Sequence, residues 1–135
     1  MARAWGAVNS AEAIGADHAG TATDGPTKGA GAPSVLMNMT RTVLAQPAIV
    51  TFTGSFYSST GGSTKLTLYL YLDGVVVGDS TRNHSFLDAD RHDTVCCVWG
   101  VTPAAGSRVF ATYWEVAGGT IVGVTTRRNM TLLQA

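Results

Sequence analysis

Charge is what this chain has least of. Its 135 residues hold nine basic and nine acidic side chains, a charged fraction of 13% that cancels to zero net charge, where soluble domains usually carry about 25%. With no basic excess and no basic stripe, binding of nucleic acid through its phosphates is excluded. A net charge near zero favours association, so much of the outer surface is expected to be covered by other subunits. No apolar run approaches the ~18 residues of a membrane-spanning helix, and Met1-Ala2-Arg3-Ala4-Trp5 lacks the apolar stretch of a secretory signal. No membrane partner is expected.

Cysteine is nearly absent too. The two present, Cys96 and Cys97, are neighbours inside an apparent strand. Successive strand residues point to opposite faces, so these two are badly placed to bond each other, and they fall short of a zinc ligand set. Buried thiols in a protein made in a reducing cytoplasm are expected. Catalytic motifs are missing as well. There is no Gly-x-Ser-x-Gly elbow and no P-loop lysine, and His18, His84 and His92 all fall in apparent loops. No enzymatic activity, catalytic residue or cofactor is expected.

What is there is strand alternation. Between Ala48 and Leu72, apolar residues fall at every second position: Val50, Phe52, Phe56, then Leu66, Leu68, Leu70 and Leu72. A period of two marks a strand with one face buried. Ser58-Ser59-Thr60-Gly61-Gly62-Ser63 separates the two runs, and Asp73-Gly74 is a two-residue hairpin signal. The same punctuation continues, with Pro103-Ala104-Ala105-Gly106 and Gly118-Gly119 as further turns. Strands are expected at residues 35–44, 48–57, 64–72, 75–82, 93–101, 107–117, 120–126 and 128–134. Eight such strands predict an all-β jelly roll or β-sandwich, with Phe52, Leu66, Leu68, Leu70, Trp99, Phe110 and Trp114 in its core.

Residues 1–34 differ from the rest. They are rich in Ala, Gly, Thr and Asp, and only Trp5, Val8 and Ile14 offer apolar anchorage. Such a segment buries too little to offset its ordering entropy alone. It is expected to be an extended arm preceding a β domain over residues 35–135, flexible or laid along a partner through Trp5 and Ile14. A second contact is expected on the strand face opposite the leucines, where Tyr69 and Tyr71 stand beside Lys65 and Thr67, with Tyr57 in a similar outer position. Tyrosine suits interfaces because its ring buries area while its hydroxyl keeps a partner. Asp88, Asp90, His92 and Asp93 lie close enough in sequence to suggest a divalent cation. Their spacing matches neither an EF-hand nor a His-x-x-x-His helix, so a solvated loop or interface rim is expected and no metal is assigned.

The run Ile49-Val50-Thr51-Phe52-Thr53-Gly54-Ser55-Phe56, followed by Leu70-Tyr71-Leu72-Asp73-Gly74, resembles small virion proteins of tailed bacteriophages. So do Val101-Thr102-Pro103-Ala104-Ala105-Gly106-Ser107 and Arg127-Arg128-Asn129-Met130-Thr131-Leu132-Leu133. The resemblance covers roughly residues 35 to 135. It implies a compact jelly roll that forms a homotrimer, as tumour-necrosis-factor-like and complement-type globular heads do, and it supplies no catalytic residues. The family includes capsid decoration (cement) proteins and the tips of tail or head fibres. A fibre tip usually ends a longer chain. Here the sequence starts at Met1 and offers an arm with no heptads, collagen-like triplets or other shaft repeat. The resemblance therefore implies a capsid decoration protein, located in the virion, that clips onto the major capsid protein as a trimer. A fibre-tip or receptor-binding module is the alternative.

Overall fold

The alternating runs form two antiparallel sheets. In the computed structural model, which describes residues 15–18, 26–60 and 62–134, the strands are β1 (Gly15–His18), β2 (Thr27–Lys28), β3 (Gly31–Val43), β4 (Ala48–Ser58), β5 (Thr64–Leu72), β6 (Val75–Val76), β7 (Arg82–Phe86), β8 (Asp93–Val101), β9 (Gly106–Ala117) and β10 (Ile121–Gln134). The first sheet has the order β1-β10-β4-β8, with β2 also paired to β10; the second has the order β3-β9-β5-β6, with β7 also paired to β5. Read as pairs, the chain is one long hairpin folded over itself. β5 pairs with β6 and β7 at its centre, then β4 with β8, β3 with β9, and β1 and β2 with β10. That nesting over two sheets is the jelly roll.

The strand inventory differs from expectation at three places. Residues 75–82 are not one strand: Val75 and Val76 turn back onto β5, and pairing resumes only at Arg82. The two strands expected at 120–126 and 128–134 are one, β10, whose register against β4 shifts between Gly123 and Arg128. The third difference concerns the arm. Gly15–His18 pair with Asn129–Leu132, Thr27 and Lys28 pair with Val122 and Ile121, and Gly31 to Ser34 already belong to β3. No element boundary falls at residue 34. A ladder is made by backbone N–H and C=O groups, so a Gly/Ala-rich stretch with few apolar side chains can still complete a sheet edge.

The inner faces meet in one core. Phe52, Leu66, Leu68, Leu70, Trp99, Phe110 and Trp114 are buried there as the alternation requires, joined by Met39, Val50, Phe56, Phe86, Ile121, Met130 and Leu132. Each such side chain contributes about 1.5–3 kcal/mol. Phe56 bridges Phe52 and Trp114, with ring centroids 6.2 Å apart in both pairs. Gly54 makes room for this: a Cβ there would lie 2.8 Å from atoms of both Phe52 and Phe56. The Trp99 indole donates to the Ser80 carbonyl at 2.6 Å, which satisfies its one buried donor. Asp73 and Gly74 close the β5–β6 hairpin with φ of 50° and 81°, the left-handed pair that a tight two-residue turn needs. That turn is pinned to β9, where Val109 N–H donates to Asp73 Oδ1 and Arg108 Nη1 lies 3.1 Å from Asp73 Oδ2.

Candidate functional site

The tyrosines predicted for the face opposite the leucines lie on the outer side of the second sheet. Register sets Tyr69 directly across from Tyr113, and Tyr71 across from Ala111. The Tyr71 and Tyr113 rings are stacked, 3.7 Å between centroids and 13° from parallel. The Tyr69 hydroxyl donates to Glu115 Oε2 at 2.6 Å. That bond to the carboxylate, with partial burial, pushes the phenol up from 10.0 to about 12. Thr67 Oγ1 donates to Asn83 Oδ1 on the neighbouring strand at 2.8 Å. The result is an open sheet face with an aromatic pair at its centre and hydrogen-bonding groups beside it. Tyr113 and Glu115 join Tyr69 and Tyr71 only through the β5–β9 register.

Tyr57 is not part of this group. It belongs to β4 in the other sheet, where its ring stacks on His92 at 4.6 Å. A similar outer position along a strand does not place two residues on one face when their strands lie in different sheets. Trp5 and Ile14, the expected arm anchors, lie outside the described residues.

The acidic loop divides its groups among partners. Asp93 Oδ2 lies 3.1 Å from His84 Nε2, and Asp93 Oδ1 is 3.5 Å from Arg91, which also reaches Asp88 at 3.7 Å. Asp90, at φ 59°, donates its N–H to the Ser58 carbonyl at 2.8 Å. Among the described residues no group of three or more His, Cys, Asp or Glu side chains is placed to hold a metal ion. A cleft of about 180 Å³ runs beside this loop, lined by Ser85, Phe86, Leu87, Asp88, Arg91 and Asp93. His84 and Ser85 are successive strand residues directed to opposite faces, so the Ser/His/Asp set here is not a catalytic triad.

The outer face of the first sheet was not singled out by the sequence. Three rows cross it in register: Leu133, Ile49 and Gly100; Thr131, Thr51 and Val98; Asn129, Thr53 and Cys96. None of the nine is charged. Val98 is 54% exposed and Ile49 38%. Cys96 is exposed, its sulfur 3.7 Å from the Thr53 hydroxyl that donates to it, whereas Cys97 is buried. The expectation of two buried thiols fails for Cys96 because the strand alternation that buries one cysteine exposes the next. Burial pushes the Cys97 thiol up to about 11.

No protein-family model matches the chain. No curated protein matches it either. Among solved structures it is similar to the EclA C-terminal domain, described as a sugar-binding protein, with 14% identity over 85% of this chain and 88% of that one and a TM-score of 0.44.

Proposed function

We propose that this protein is a non-catalytic structural component of a tailed-phage virion, a capsid decoration protein that binds the assembled head as a homotrimer. One observation carries the adhesive reading. The polar and aromatic groups of the jelly roll are spread over open sheet faces, and the titratable clusters are spent on internal pairs such as His84 with Asp93 and Tyr69 with Glu115. Such a body acts by contact over area. A protein that binds only the assembled shell shifts the assembly equilibrium toward it, and three linked copies gain avidity from effective concentration. Particles lacking the protein should assemble with normal geometry but rupture at lower temperature, and adding the protein back should restore their tolerance. Equal robustness without it overturns the proposal.

The stacked Tyr71 and Tyr113 pair favours a second reading, a receptor-binding module at a fibre tip. Flat aromatic faces beside a carboxylate and amides suit ligands with both apolar faces and hydroxyls. In that case particles lacking the protein stay robust but fail to adsorb to host cells.

A further inference from the structure

We propose that the tyrosine face of the second sheet docks an arginine side chain presented by a partner protein, with Glu115 as the counter-charge and Tyr71 and Tyr113 as the stacking surface. The inference goes beyond the readings above. It assigns a contact and its chemistry, and it holds whether the protein sits on a capsid or at a fibre tip.

Register builds the site. β5 and β9 set Tyr69 across from Tyr113 and Thr67 across from Glu115, so the carboxylate stands one row from the rings on the same face. Tyr69 joins the two, donating its hydroxyl to Glu115 Oε2 at 2.6 Å. The phenol keeps its proton up to about 12, so it shares the charge of the carboxylate without cancelling it. Glu115 Oε1 accepts no hydrogen bond among the described residues. The side chain is held through one oxygen and left open at the other.

Charge complementarity selects the occupant. Aromatic faces are electronegative and attract cations, and a carboxylate beside them adds a full negative charge. The one basic side chain on the outer rows of β5 and β9 is Lys65. It stands across from Ala117, on the side of Glu115 away from the tyrosines, and makes no ion pair among the described residues. An incoming cation therefore meets least repulsion over the rings. Guanidinium fits there better than ammonium, because it is planar, stacks on aromatic faces and offers a fork of donors to a carboxylate. A neutral saccharide would use the rings and leave the charge unmatched.

The surroundings agree. Val35, 50% exposed, pairs in register with Tyr113, and Val76, 49% exposed, pairs with Tyr71. They supply apolar ground on either side of the rings for the aliphatic stem of an arginine and for its neighbours. Tyrosine and arginine are among the side chains that most often carry the energy of a protein contact.

The test titrates the full chain with N-acetyl-arginine amide, with the citrulline counterpart (planar but uncharged) and with glucose, following tyrosine ring signals by NMR. The arginine derivative is expected to shift the Tyr71 and Tyr113 signals with a Kd on the order of 1–10 mM. The citrulline derivative should bind at least ~5-fold more weakly, since it forms no charge-assisted pair. Glu115→Gln and Tyr113→Ala should each weaken arginine binding by a similar factor, and Lys65→Ala should tighten it about 2-fold by removing a like charge. Asp88→Asn, at an exposed carboxylate far from the rings in sequence, should leave it unchanged. Should Tyr113→Ala fail to fold, Glu115→Gln decides, because it keeps the planar side chain and its size. Equal binding of the citrulline derivative, undiminished binding by folded Glu115→Gln, or no shift up to about 100 mM overturns the proposal. Glucose moving the ring signals where the arginine derivative does not also overturns it, in favour of a hydroxylated ligand.

Discussion

The two outer faces of this sandwich are built by the same alternation yet have opposite chemistry. The second sheet presents Tyr69, Tyr71, Tyr113, Lys65 and Glu115, with a stacked ring pair and a tyrosine–carboxylate hydrogen bond. The first presents threonines, Ile49, Val98 and Cys96 without a charge in three successive rows. The difference teaches that burial pattern and surface role are separate messages in one strand. Even-numbered positions of β5 fix the core through Leu66, Leu68 and Leu70, while odd-numbered ones are free to carry another function.

The sharpest way to break the contrast is to exchange the chemistry of the faces. In the trimer proposed above, Val98→Glu on the first sheet should weaken association seen by light scattering more than Val35→Glu on the second, although both valines are exposed. Loss of association with both variants would mean that the faces are not distinct.

Within β8 the same contrast is drawn between adjacent residues. In protein dispersed to monomers, Cys96 should react with a thiol reagent at least ~100-fold faster than Cys97, which is buried and holds its proton up to about 11. Comparable rates by mass spectrometry would show that β8 opens readily and that its two faces are not separated by a stable sheet.

A smaller effect is expected beneath the faces. Gly54→Ala should destabilise the fold by about 1–3 kcal/mol, because the added methyl must push the Phe52 and Phe56 rings off their packed positions. Thermal or urea unfolding measures this. A neutral result would mean that the rings have room to turn away.

The smallest effect belongs to the tyrosine face. Tyr69 should titrate at about 12 rather than 10.0 by ultraviolet absorbance, with its value falling back in Glu115→Gln. The sign follows from linkage. The folded chain keeps a proton that the unfolded chain releases, so this contribution is full below pH 10.0 and is lost as pH rises toward about 12. An unshifted tyrosine would deny the hydrogen bond to Glu115.

Much of the fold was legible in the residues. The leucine row, the phenylalanines of β4 and the Asp73-Gly74 turn each state their local geometry, because side-chain period and left-handed φ are properties of short stretches. The first strand pair was not legible. Gly15–His18 and Thr27–Lys28 are too short to show an alternation, and their pairing is with β10, more than 90 residues further along the chain. The strand end read between residues 126 and 128 does not exist: β10 runs through, and only its register against β4 shifts, between Gly123 and Arg128.

For the surface the division is similar. Sequence alone determined which residues of each strand point outward, that the chain is poor in charge, and that Tyr69 and Tyr71 share a side. Only the tertiary structure decided that Tyr57 belongs to the other sheet, that Tyr113 and Glu115 join the tyrosines, and that β10, β4 and β8 align nine uncharged residues into one patch. The physical reason is range. Which way a side chain points follows from its immediate neighbours along the strand, but who stands beside it is set by backbone pairing between segments far apart in the chain, as between Ile49 and Leu133 or Gly15 and Leu132. No local pattern encodes that choice.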